Sequence, residues 1–213
     1  MKYMKLYPKM NSRNTALIVI DVVNGCCHKD LEELNRGIRF TKIRKMISHL
    51  VKFIEGFKRK VGGQVIFVNI TPWTKKHLPK NIVELYTDPK TVCYSNDNTG
   101  FSEEFYLVRP EKKDIVLTKN TYDAFANPEL KRILKKKGIQ YLLVTGVFTD
   151  GCVLATICGG FQAGFNFIIL KDLIETTDVK KRQELQKHLK EYTFPVMYGK
   201  TITSKKLLKE WKI

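Results

Sequence analysis

Acidic residues are scarce in this 213-residue chain: 21 Asp and Glu stand against 38 Lys and Arg, a formal net charge of +17. Long apolar runs are missing as well. The longest, such as Ala16 to Ile20 and Tyr141 to Val144, fall far short of the ~20 residues that cross a bilayer, so no membrane span is expected. The opening stretch MKYMKLYPKMNSRNT has no apolar core ahead of a small-residue cleavage site, and no signal peptide is expected. Five cysteines are an odd count, and Cys26 and Cys27 are neighbours. That is a poor disulfide framework and points to a reducing, cytoplasmic setting. Repeats, low-complexity tracts and flexible linkers are also absent, so one domain over residues 1–213 is expected.

The positive charge raises the question of nucleic acid. The lysines, however, are spread along the chain, as in KRILKKKG (131–138) and KKRQELQKHLK (180–190). Each run alternates with Leu or Ile at helical spacing, as the wet face of an amphipathic helix does. No aromatic–basic signature accompanies them, so a nucleic-acid partner is not expected; a small-molecule substrate is.

Hydrophobic residues make up 43% of the chain, enough for a core, and short apolar runs alternate with helical patterns. This is the mark of a parallel sheet covered on both faces. Strands are expected at 15–21, 64–70, 114–119, 141–147 and 165–170, with FPVMY (194–198) as a sixth. Helices are expected near 37–60, 128–137, 152–163, 178–191 and 204–211. The predicted fold is therefore α/β, a doubly wound three-layer α/β/α arrangement around a mostly parallel six-stranded sheet. Residues 71–110 break the rhythm with Pro72, Pro79, Pro89 and Gly100. A connection of that length reads as a lid, a binding segment or an oligomer contact. Its aromatics, Trp73 among them, either line a pocket or anchor the loop.

Ligands of open parallel sheets gather at the carboxyl ends of the strands. There the first strand ends in Asp21, the third in Lys119, and the fourth leads through a turn to Cys152. Each has a bland reading: a helix cap, a solvated amine, a core thiol. Together they describe a nucleophile site. A helix N-terminus and a nearby Lys would favour the thiolate, Asp21 could move a proton, and turn N–H groups could hold an oxyanion.

The segments ALIVIDVVN, VLTKNTYDAF and LLVTGVFTDGCVLAT, in that order, resemble the isochorismatase-like cysteine hydrolases, a family that includes nicotinamidases, N-carbamoylsarcosine amidohydrolases and ureidoacrylate hydrolases. The resemblance implies a catalytic triad of Asp21, Lys119 and Cys152 and a cis peptide between Val147 and Phe148. It also implies an oxyanion hole from the N–H groups of Phe148 and Cys152, with Phe125 packed near the substrate. Asn24, Trp73 and Thr149 join Phe125 as expected substrate contacts. The implied activity is hydrolysis of a C–N bond in a small amide, ureide or carbamoyl compound, in a homo-oligomer (dimer or tetramer) and without a cofactor.

The chain departs from the family pattern in places. Val23 stands where a glutamine is usual, so Asn24 would supply that polar contact or it is missing. Asp123 replaces a serine, and Gly159 and Gly160 interrupt the helix after the nucleophile. Nicotinamidases of the family hold a divalent ion through Asp–x–His and a later His; after the second strand this chain offers only His77, so no metal is expected. Cys26, Cys27 and His28 leave two lesser readings open, a metal site and a redox disulfide to Cys152. Two other functions also stay open: an isochorismatase-type vinyl-ether hydrolase, and a non-catalytic relative that binds through its basic face.

Overall fold

The computed structural model describes residues 7–34, 37–70, 72–85 and 101–211. Six strands form one sheet: β1 (Thr15–Ile20), β2 (Gln64–Asn69), β3 (Ile115–Thr118), β4 (Tyr141–Val147), β5 (Asn166–Glu175) and β6 (Gly199–Ile202). All pairings are parallel, in the order β3-β2-β1-β4-β5-β6. β1 is buried along its whole length, as a continuous apolar run in the middle of a doubly covered sheet must be.

The helices are α1 (Asn24–Cys27), α2 (Thr41–Lys60), α3 (Lys80–Leu85), α4 (Pro128–Lys136), α5 (Leu154–Gln162), α6 (Lys180–His188) and α7 (Ser204–Glu210). On one face of the sheet, Leu17, Val19 and Phe67 meet Ile43, Ile47, Leu50 and Phe57 of α2 and Leu207 of α7. On the other, Ile18, Ile20 and Val144 meet Leu130 and Leu134 of α4, Val153 just ahead of α5, and Ile157 of α5. With Ile54 added, the α2 set recurs every three or four residues, which keeps one stripe against the sheet. α4 begins with Asn127, whose side chain accepts from the Glu129 N–H at 2.9 Å, and Pro128 occupies the first turn. Gly138, at φ +67°, ends it. Lys131, Lys135, Lys136 and Lys137 of this region are exposed, as a solvated basic face requires.

Three expectations about elements are corrected. FPVMY is not a strand: residues Leu189–Tyr198 continue α6 as an irregular helix, with Phe194 buried and Val196 and Met197 both exposed. The sixth strand starts at Gly199 instead, where a Cβ would lie 2.3 Å from the Phe167 carbonyl oxygen, so only glycine fits the approach to β5. β5 also runs past residue 170 to Glu175, because exposed Lys171 and Asp172 interrupt the apolar pattern without ending the strand. Finally, α2 starts at Thr41 rather than near Gly37. The middle of the expected lid, residues 86–100, lies outside the described residues.

The strand order reverses between β1 and β4, and a crevice opens at such a switch point. Gly146 brings the two strands together there. It has φ +114°, and a Cβ on it would lie 2.1 Å from the Ile20 carbonyl oxygen. The register of β4 against β5 shifts at the same place, between Val144 and Gly146.

Candidate active site

Asp21 follows β1 with φ 53°, a left-handed conformation that Asp tolerates better than most residues. Its N–H donates to the Val68 carbonyl at 3.1 Å, and its Oδ1 accepts from the Ile70 N–H at 2.6 Å. The carboxylate is thus fixed over the end of β2 and reaches Lys119, just past β3. Lys119 Nζ lies 2.9 Å from Asp21 Oδ2 and also donates to the Thr121 carbonyl at 3.2 Å. Both side chains are almost fully enclosed, at 1% and 0% exposure. The long lysine stem spans the width of β2, which a shorter cation could not do.

Cys152 is 6% exposed and comes from the turn Thr149–Val153 between β4 and α5. Its sulfur lies near enough to Asp21 and Lys119 to feel both charges, which brings the trio together. Burial, and then the Asp21 charge, push the thiol well above its ordinary pKa, and Lys119 only partly opposes them. The expectation that a helix N-terminus and Lys119 favour the thiolate is therefore corrected for the resting protein: Cys152 is a thiol beside a carboxylate. Burial alone would lower the Lys119 pKa, but Asp21 and Cys152 outweigh it and raise it, so the lysine is charged.

The turn itself has an unusual course. The Val147–Phe148 peptide is cis, and Gly151 sits at φ −127°, ψ −110°, outside helical values. The Phe148 carbonyl accepts from the N–H groups of Gly151 and Val153, while its own N–H makes no hydrogen bond among the described residues.

A scan of protein families matches residues 15–201 to the isochorismatase domain. The chain belongs to the isochorismatase family. Among its relatives, a ureidoacrylate amidohydrolase (RutB) of Yersinia enterocolitica is 38% identical over 65 residues, 30% of this chain and 28% of that enzyme. The chain thus aligns with little more than a quarter of that curated relative. A cysteine hydrolase from Pseudomonas syringae has the same fold, with a TM-score of 0.80 and 18% identity over 98% of this chain and 97% of that one. An N-carbamoylsarcosine amidase from Thermoplasma acidophilum superposes with a TM-score of 0.69 and 23% identity, over 92% of this chain and 97% of that one.

The residues expected to touch substrate in this isochorismatase-family chain are placed unevenly. Asn24 is buried and donates to the Phe101 carbonyl at 2.9 Å, while its N–H donates to Glu104 at 2.8 Å. It straps residues 101–106 across the end of β1, helped by the Val23–Phe105 bridge. Gly25 lets that strap come close, since a Cβ there would lie 2.9 Å from the Ser102 carbonyl oxygen. Trp73 packs on Ile70, Leu78 and Ile82 beside Tyr122, so it anchors the segment after β2. Phe125 stands against Phe165 at 5.4 Å between ring centres and fills the space that Gly160 leaves open. Asp123 occupies the corresponding space over Gly159 and caps the Phe125 N–H, so these two glycines exist for packing. Burial raises the Asp123 carboxyl against the pull of that N–H and of Lys119.

Thr149 requires a correction. It is 0% exposed, and its hydroxyl donates to Gln186 Oε1 at 2.8 Å, so its side chain faces α6 rather than a ligand. The CCH run diverges. Cys27 is in the core against α2, with its thiol raised first by burial and then by Asp21. His28 accepts from the Asp30 N–H and stands edge-on to Phe101, while Cys26 is half-buried. Among the described residues no group of three His, Cys, Asp or Glu is arranged to hold a metal ion. Residues 70–80, directly after β2, offer a single imidazole, that of His77, and no carboxylate, so the Asp–x–His set of a nicotinamidase-type ion is not met there. No helix of the described residues is long and apolar enough to cross a membrane.

One group went unnoticed at the level of sequence. Arg182 and Gln186, on α6, hold the turn that carries Cys152 from behind: Arg182 bonds Asp150, and Gln186 bonds Thr149. The available signal was Arg and Gln four residues apart in a helix without an apolar face, facing a turn that carries Thr and Asp.

Proposed function

We propose that this protein is a cysteine hydrolase that cleaves a C–N bond of a small amide, ureide or carbamoyl compound through a thioester. The observation that carries the reading is the enclosed Asp21–Lys119 pair with buried Cys152 beside it at the switch point of the sheet. A thiol beside a carboxylate needs no low pKa of its own. As Sγ attacks the substrate carbonyl carbon, its proton passes to Asp21, and Lys119 keeps the total charge of the pocket balanced. The carbonyl π electrons move onto oxygen, and the N–H groups of Phe148 and Cys152 receive that oxyanion.

Collapse of the tetrahedral intermediate breaks the C–N bond. Asp21 returns its proton to the departing nitrogen, which leaves as ammonia or an amine. Water then attacks the thioester, with Asp21 as base, and the second collapse gives the acid product and restores the thiol. A carbamoyl substrate would release carbamic acid by the same steps. The names of the relatives, an amidohydrolase of ureidoacrylate and an amidase of N-carbamoylsarcosine, support this substrate class. Vinyl-ether hydrolysis would leave Cys152 without a task.

The test is turnover of a panel of primary amides, ureides and N-carbamoyl amino acids by the wild type, Cys152→Ala and Cys152→Ser. Loss of all turnover in both variants, with unchanged circular dichroism, is the expected result. Wild-type-like rates in either variant overturn the proposal.

A further inference from the structure

α6 is an odd helix to find against the nucleophile turn. Gln186 is its only buried residue, and Leu185, its one aliphatic side chain, is 47% exposed. Buried Leu189 and Phe194 anchor its continuation, but within Lys180–His188 burial of apolar surface does not hold it against the turn. What holds it is a polar network aimed at three consecutive residues. Arg182 Nε and Nη2 grip the Asp150 carboxylate in a two-toothed bond at 2.7 and 2.8 Å, and Thr176 donates to the same carboxylate at 2.5 Å. The guanidinium also lies over the Phe148 ring, 4.8 Å from its centre. One turn along the same face, Gln186 accepts from Thr149 and donates to Glu175 Oε1, which also accepts from Gln183 and from the Thr176 N–H.

Phe148, Thr149 and Asp150 are thus each held by α6, and they lie between the two N–H groups assigned to the oxyanion. Asp150 is 7% exposed; burial would raise its carboxyl, but Arg182 and Thr176 hold it below the ordinary value, so it is charged and paired. The turn has no regular helical ladder through Gly151 to fix its shape. Within the turn the Phe148 carbonyl accepts from Gly151 and Val153; from outside, the side chains that bond its own are those of α6 and Thr176.

We infer that Arg182 is a positioning residue for catalysis, which through Asp150 and Phe148 sets the aim of the Phe148 and Cys152 N–H groups at the developing oxyanion. This rests on the cysteine-hydrolase reading above. It has a consequence that a plain structural salt bridge lacks. The reactivity of the sulfur is set by burial, Asp21, Lys119 and Cys26, on the other side of the turn. Arg182 should therefore affect reactions that pass through an oxyanion and spare those that do not.

Two probes separate the cases without the natural substrate. p-Nitrophenyl acetate acylates a thiol through a tetrahedral oxyanion and releases p-nitrophenolate in a burst. Iodoacetamide alkylates the same sulfur by direct displacement of iodide, with no oxyanion. For Arg182→Ala the expected result is a burst slowed about 10- to 100-fold, the scale of a misaimed reacting group, with Cys152 alkylated within about two-fold of the wild-type rate. Arg182→Lys keeps a charge but not the fork, so it stays slow; Asp150→Asn gives the same signature, and exposed Lys181→Ala gives none. Equal loss of both reactions in Arg182→Ala and Asp150→Asn shows a merely structural role and overturns the inference, as does an unchanged burst. Full recovery in Arg182→Lys overturns the two-toothed clamp. A wild type that is alkylated at Cys152 but shows no burst overturns the nucleophile reading itself, and the inference with it.

Discussion

Replacing Asp21 by Asn should move two properties of Cys152 in opposite directions. The substitution keeps the shape of the side chain, including an oxygen for the Ile70 N–H, but removes the charge that Lys119 and the thiol both feel. On the proposed mechanism the proton carrier is lost, and turnover falls by about 10²- to 10⁴-fold. As a free thiol, Cys152 is relieved of the charge that, after burial, does most to raise its pKa, while Lys119 remains to stabilise the anion. Alkylation by iodoacetamide should therefore begin at lower pH than in the wild type, so the poorer enzyme carries the more ionisable sulfur.

Stability should fall as well. Lys119 is left 0% exposed with no carboxylate, a loss of about 3–5 kcal/mol for a broken buried pair. At about 2–4 °C per kcal/mol for a domain of this size, the melting temperature drops by roughly 6–20 °C. The assay is a pH–rate profile for single-site alkylation beside one for turnover, both below the melting range of the variant. An alkylation profile that stays in place or moves to higher pH refutes the assignment of Asp21 as the partner of the thiol.

Three further outcomes follow from other contacts. Gly160→Ala would push a methyl group to 2.4 Å from the Phe125 ring and 2.5 Å from Phe167, an overpacking cost of about 1–3 kcal/mol visible as a lower urea midpoint; an unchanged midpoint would show that the rings yield freely. Thr149→Val leaves Gln186 Oε1 without the Thr149 hydroxyl as donor and should cost about 1–3 kcal/mol in the same assay, whereas a substrate-contact role predicts a raised KM with full stability. Pairing holds the Asp150 carboxyl below its unfolded value near 3.9, so the folded state binds fewer protons there. Its contribution is present above that value and lost as pH falls through the folded one; melting curves from pH 6 down to pH 2 should therefore steepen for wild type relative to Asp150→Asn.

Much of the site was legible because its parts end apolar runs. Asp21 and Cys152 each follow a stretch that only a buried central strand explains, and Lys119 follows the edge strand β3; parallel topology does the rest. The protonation of the sulfur was not legible: a helix N-terminus and a lysine both suggest a thiolate, and only three dimensions reveal how deep the sulfur lies and that Asp21 is its neighbour. The inward face of α6 is hidden for a related reason. Its lysines and glutamines look like a wet surface, and most are, but Arg182 and Gln186 turn inward to a polar target that no periodicity of apolar residues can mark. FPVMY looked like a strand because five residues cannot distinguish a strand from a kinked helix, and the decisive feature, the Gly199 contact with Phe167, lies between distant parts of the chain.

The most direct measurement is rapid acid quench of the working enzyme with a slow ureide or N-carbamoyl substrate, followed by mass spectrometry of the digest. Cys152 and Cys158 share one tryptic peptide, so fragmentation between them must locate any added mass. The expected spectrum carries the substrate's acyl or carbamoyl group on Cys152, at an occupancy that rises and decays with turnover and is absent from Cys152→Ser. Steady turnover with Cys152 unmodified at every time point, or a Cys152→Ser enzyme that still releases product, would contradict the account.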